Sequence, residues 1–143
     1  MKTLMFFVLV IAVSGLTFGQ SSEARNQTST DEGPLLSWEK SNYDFGDIPQ
    51  GERVEYTFRF SNTGTEPLMI TNVTTQCGCT APKGWPRDPV RPGERGEITI
   101  IFDSSGKSGR VNKVATVMSN AANKDGAQVL LSGNILDKKI GNR

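Results

Sequence analysis

The sequence predicts an all-β domain, a β-sandwich of six to eight short strands. Three observations predict it. Val54, Tyr56, Phe58 and Phe60 alternate with Arg53, Glu55, Thr57 and Arg59, the period-2 pattern of a strand with one face in a core and one in water. Turn signals recur between such runs, at Asn62-Thr63-Gly64-Thr65, Pro92-Gly93-Glu94 and Asn123-Lys124-Asp125-Gly126, the last with an Asp-Gly hairpin pair. Beyond residue 33 no eleven-residue window places apolar residues at i, i+3, i+4 and i+7, so nothing there supports an amphipathic helix.

The elements follow in chain order. Lys2 precedes the unbroken apolar run Leu4 to Val13, and Thr17-Phe18-Gly19 places small residues before Gln20. This is the pattern of a signal peptide over 1–19. The run is shorter than the roughly 20 apolar residues of a membrane-spanning helix, so cleavage is expected and no span remains after it. Residues 20–34 are polar and hold little that could be buried, which reads as a flexible leader. The folded domain is expected over 35–136, with a polar tail over 137–143.

Within the domain, Leu36-Ser37-Trp38 and Tyr43-Asp44-Phe45 read as short opening strands. The run Arg53–Phe60 is the clearest strand. Leu68, Ile70 and Val73 suggest the next. Ile98, Ile100 and Phe102 alternate with Thr99 and Ile101. Val111 to Ser119 holds Val111, Val114, Val117 and Met118, β-branched and apolar enough for a further strand, and Val129, Leu131 and Ile135 close the domain. The expected core is Trp38, Phe45, Val54, Tyr56, Phe58, Phe60, Leu68, Ile70, Ile98, Ile100, Phe102, Val117, Val129 and Leu131.

Composition removes several chemistries. The 143 residues include no histidine, which excludes Ser-His-Asp and Cys-His nucleophiles and any His-ligated metal. The formal charge is +1, with 16 basic and 15 acidic residues. Loss of Lys2 with the leader makes it zero, so a nucleic-acid partner is not expected.

One cluster carries chemistry. Cys77-Gly78-Cys79-Thr80 holds both cysteines of the chain. Side chains at i and i+2 of a strand share a face, and Gly78 is expected to adopt positive φ and tighten the chain. Three readings stay open: a local Cys77–Cys79 disulfide in an oxidising compartment, a Cu(I) site of two thiolates, and thiol–disulfide exchange. Met69 or Met118 is a candidate thioether ligand for the copper reading. A bridge between positions so close removes little chain entropy and stabilises the fold weakly.

Other strings fail. Gly106-Lys107-Ser108 lacks the glycine five residues earlier that a phosphate-binding loop needs, because that position is Ile101. Asp44, Asp47 and Glu52 lack calcium-loop spacing. Arg87, Arg91 and Arg95 are interrupted by prolines that forbid a helix. Asn26-Gln27-Thr28 and Asn72-Val73-Thr74 match the short N-glycosylation pattern.

In order, Tyr43-Asp44-Phe45-Gly46-Asp47-Ile48, Gly51-Glu52, Phe58 to Gly64, Pro67-Leu68-Met69-Ile70, Cys77-Gly78-Cys79-Thr80, Pro92-Gly93-Glu94 and Ser119-Asn120 resemble the bacterial family catalogued as domain of unknown function 1573. The resemblance covers about Leu36 to Ile135. Cys-Gly-Cys-Thr followed by Pro-Gly-Glu is its specific part. It implies an immunoglobulin-like β-sandwich, akin to major sperm protein and Hydin-type domains, and it implies export. It brings no established activity, and Cys77, Gly78, Cys79 and Thr80 carry over only as the family's hallmark.

The functional expectation is an exported, non-catalytic module, periplasmic or extracellular, that contacts an unidentified envelope or extracellular protein. No cofactor and no catalytic residue are expected. The alternative is a Cu(I)-binding or thiol-redox accessory protein acting through Cys77 and Cys79.

Overall fold

A computed structural model describes residues 32–124 and 126–138. The expected signal peptide, leader residues 20–31, the acceptor pattern at Asn26, Asp125 of the hairpin signal and tail residues 139–143 lie outside the described residues. Eight strands follow one another: β1 (Leu36–Trp38), β2 (Asn42–Pro49), β3 (Arg53–Asn62), β4 (Ile70–Thr75), β5 (Thr80–Gly84), β6 (Arg95–Asp103), β7 (Gly109–Ser119) and β8 (Gln128–Leu136). They form two four-stranded sheets, β1-β3-β6-β5 and β2-β8-β7-β4. The architecture is the immunoglobulin-like sandwich that the alternation and the resemblance imply.

Register follows from the alternating pattern. Tyr56 pairs with Ile100 and Phe58 with Ile98, so both strands turn their apolar set the same way. The opposing sheet supplies Ile48, Val73, Ala115, Val117, Val129, Leu131 and Ile135, all buried. Outward residues of β3 and β6 meet as charge and hydroxyl pairs: Arg53–Asp103 at 3.0 Å, Arg59–Glu97 at 2.9 Å and Thr57–Thr99 at 2.9 Å. Such exposed pairs set register more than they add stability.

Of the expected core, Trp38, Phe45, Val54 and Tyr56 are only partly buried and pack around the rim of the cluster. Leu35, Leu36 and Val90 are buried from loops or a three-residue strand, where no periodicity marks them. Leu68 sits before β4, in an isolated bridge to Val90. β5 carries no signal because Pro82 lies inside it, which an edge strand tolerates.

Two corners depend on close approach. A Cβ on Gly133 would overlap the Phe45 ring, and one on Gly96 would overlap the Phe60 ring. Buried Asn62 ties three segments together. Its amide oxygen accepts from the Leu35 and Gly64 N–H groups, and its nitrogen donates to the Glu66 and Val90 carbonyls.

Candidate functional site

The chain must leave one sheet at Thr75 and enter the other at Thr80. The Cys-Gly-Cys-Thr string makes that crossing. Its geometry is a turn, not an extended strand. The Thr80 N–H donates to the Cys77 carbonyl at 3.2 Å, and this closes the Cys77 and Cys79 Cα atoms to 5.3 Å. That lies within disulfide range, and the two sulfurs are bonded. Gly78 departs from expectation: it is not among the glycines with positive φ. A Cβ there would meet nothing within 4 Å, so the turn hydrogen bond, not glycine's freedom, draws the cysteines together.

The turn is held from both sides. Thr75 Oγ1 donates to the Thr80 carbonyl at 2.6 Å. The Asp103 N–H donates to the Cys79 carbonyl at 2.8 Å. Thr80 pairs with Phe102 and is buried beneath the turn. Its hydroxyl lies 3.6 Å from Cys77 Sγ and 4.0 Å from Cys79 Sγ. Outside, Arg53, Gly78, Cys79, Ala81, Ile101 and Asp103 line a shallow groove of about 250 Å³. Arg53 and Asp103 pair across its floor. Asp103 is held down to about 2, first by hydrogen bonds from Ser105 and then by Arg53. Sequence reasoning placed Arg53 on a solvated face and had no signal for Ala81, Ile101 or Asp103, because the grouping arises only when β3, β5 and β6 align.

The expected thioether ligands do not reach the cysteines. Met69 precedes β4 and Met118 pairs with Asn72, whereas Thr75, nearest the turn, pairs with Ala115. At about 3.3 Å per residue, Met69 lies about 20 Å along the strand from Thr75. Among the described residues no group of three or more His, Cys, Asp or Glu is placed to hold a metal. Asp44 instead accepts the Gly46 N–H and Asp47 accepts from the Asn134 amide. Arg87 stacks on Trp85, its guanidinium 4.1 Å from the ring, and Arg95 approaches Glu39 at 3.7 Å.

A second surface feature is the edge of the sheet that ends in β4. In the Val73–Val117 pair, the Val117 N–H turns away to the Ala127 carbonyl at 2.7 Å. The pair is therefore of the non-hydrogen-bonded type, and Val73 points its own N–H and C=O off the sheet. The Val73 N–H is occupied by the side-chain oxygen of Asn72 at 2.9 Å.

Several solved structures share the fold. A Porphyromonas gingivalis protein of unknown function matches with a TM-score of 0.61 and 16% identity, over 78% of this chain and 51% of that one. The secreted serine protease VesC from Vibrio cholerae matches with a TM-score of 0.58 and 17% identity, over 78% of this chain but only 25% of the protease. The ASH/PapD-like domain of human CEP192 matches with a TM-score of 0.56 and 10% identity, over 87% of this chain and 99% of that domain. The chain thus spans about half of the first and a quarter of the second, and at these identities the likeness is one of fold. No curated protein matches the sequence. The model of the family described as protein of unknown function, DUF1573, matches residues 36–135, the whole sandwich from β1 to the end of β8, and the chain belongs to that family.

Proposed function

We propose that this protein is an exported, non-catalytic module that binds an extended, uncharged segment of another envelope or extracellular protein along β4. One observation carries the reading: three of the four sheet edges are blocked by shortness, charge or proline, and β4 by none of these. β1 is three residues long. β2 carries Asp44, Asp47, Pro49 and a bulge. β5 carries Pro82, Lys83 and a register shift. Shortness, charge, proline and bulges are the devices that keep a sheet edge from pairing. β4 reads Ile-Thr-Asn-Val-Thr-Thr, with no charge and no proline; it too has a register shift, between Ile70 and Asn72, but runs in register from Asn72 to Thr75. An added strand would exchange the local Asn72 contact at Val73 for ladder bonds, as in β-strand addition.

Charge points the same way. The face beside β4 shows Asn72, Thr74, Thr116 and Met118, whereas the opposite sheet shows Arg, Lys and Glu pairs. Export is supported by the apolar leader and by fold likeness to a domain of a secreted protease. The non-catalytic part is supported by the shifted groups: Asp103 and Arg59 both sit in solvent-exposed ion pairs, Asp103 at a shallow groove and Arg59 on the outer sheet face, and neither in an enclosed cleft.

The test is capture from envelope extract of the source organism with three proteins: wild type, Asn72→Lys/Thr74→Lys, and a Thr57→Lys control on the opposite sheet. The reading expects one partner retained by wild type and control and lost from the β4 variant. Equal retention by the β4 variant contradicts it.

A further inference from the structure

Three polar residues are buried in the described fold: Asn62, Thr80 and Ser104. Two are accounted for by structure. Asn62 bonds four backbone groups. The Ser104 hydroxyl meets the Gly51 N–H and the Pro49 and Glu52 carbonyls. Thr80 differs. It is only 3% exposed, and its hydroxyl contacts are the two sulfurs of the disulfide, at 3.6 Å and 4.0 Å. A neutral disulfide sulfur is a weak acceptor, whereas a thiolate accepts a hydrogen bond strongly. A hydroxyl buried against two sulfurs matches the thiolate better than the resting bond.

The rest of the turn is consistent with a bond meant to open. Positions two apart close a ring too small to restrain the unfolded chain much, and of the two cysteines only Cys79, itself partly buried, packs against the core cluster. The sulfurs differ in surroundings. Cys79 lines the outer groove beside Arg53, and Cys77 is the nearer to Thr80.

We propose that Cys77–Cys79 is an exchange-active disulfide whose substrates are dithiols, on peptides or proteins, that reach the groove. A substrate thiolate attacks Cys79 Sγ in line with the S–S bond. A new S–S bond joins substrate and Cys79, and the electron pair of the broken bond leaves on Cys77. The Thr80 hydroxyl donates to that thiolate as its charge develops. The second thiol of the substrate, deprotonated by solvent, attacks the substrate sulfur of the mixed disulfide and expels the Cys79 thiolate. The substrate leaves as a disulfide, oxidised by two electrons. Cys77 and Cys79 take up those electrons and, from water, the two protons that the substrate thiols released. The proposal is independent of the β4 reading, and because the step ends with Cys77 and Cys79 reduced it is a stoichiometric exchange, one dithiol per chain, that leaves the module non-catalytic.

The test uses the oxidised chain, with reduced glutathione as the trapping monothiol and dithiothreitol as the dithiol. After acid quench and alkylation, fragment masses locate the adduct and count reduced cysteines. The expected adduct is on Cys79. Reduction by dithiothreitol is expected to slow about tenfold in Thr80→Val, the size of a lost hydrogen bond to a charge, and to stay near wild type in Thr80→Ser. A second pair of variants guards against misfolding of Thr80→Val. The Cys77 thiol in Cys79→Ser should alkylate at lower pH than the Cys79 thiol in Cys77→Ser. An adduct on Cys77, no adduct at all, equal rates in Thr80→Val, or an equal or reversed pH order overturns the proposal.

Discussion

Phe45 packs its ring against Gly133, leaving no room there for a Cβ. The same ring lies 5.6 Å from Phe102 of the opposite sheet, 22° from parallel. Gly133 is thus the recess that lets β2 close on β8 while its aromatic reaches the other layer. Gly133→Ala is expected to destabilise by about 1–3 kcal/mol through overpacking. In a Phe45→Leu background the added cost should shrink, and urea denaturation of the four proteins in that cycle measures it.

Asn62 is expected to be the most costly polar residue to remove. Asn62→Ala removes the partner of the Leu35 and Gly64 N–H groups and of the Glu66 carbonyl, while the Val90 carbonyl keeps the Leu68 N–H; each group left buried and unpaired costs about 1–3 kcal/mol. Entry of water into the gap offsets part of that sum, and a loss of about 3 kcal/mol or more is expected. Asn62→Asp should also destabilise, because a carboxylate cannot donate to the Glu66 and Val90 carbonyls. The check is the urea midpoint at constant m-value.

The disulfide should matter little to the fold. Loop-closure entropy for so short a ring gives no more than about 2 kcal/mol. Cys77→Ser/Cys79→Ser is therefore expected to fold, with its thermal midpoint lowered by about 10 °C at most. A scan of the double variant beside the oxidised wild type measures this.

Asp103 sets an acid limit on the groove. Its folded carboxyl titrates at about 2, below the ordinary 3.8. A carboxyl lowered by folding stabilises the fold above its unfolded value, and that contribution is lost as pH falls from about 4 through about 2. The pair is exposed, so the effect is small. Wild type should lose slightly more stability across that window than Asp103→Asn, as read by denaturation at pH 5 and pH 2.5.

Much of the fold was legible because the alternation in β3 and β6 is strict. Phe58, Phe60, Ile98, Ile100 and Phe102 are all fully buried. What was not legible depends on partners distant in sequence. The parallel pairing of β2 with β8 leaves no local mark, because register there is set by packing on Phe102 and Tyr56 from the other sheet. β5 was hidden by Pro82. At the turn, the importance of Cys77, Cys79 and Thr80 was visible as a motif. The strand-like spacing assumed for the cysteines gave way to a hydrogen-bonded turn, and Gly78 did not take the conformation that glycine permits. The hydroxyl of Thr80 against the sulfurs could not be read, because it needs the burial that Phe102 provides.

The central claim is that β4 receives a partner's extended segment. The most direct measurement places a photo-crosslinking amino acid at Thr74, and separately at Thr57, in the full chain expressed in its native envelope. The account predicts a light-dependent adduct with a single protein at Thr74 and none at Thr57. An adduct of equal yield at Thr57, or none at Thr74, would contradict it.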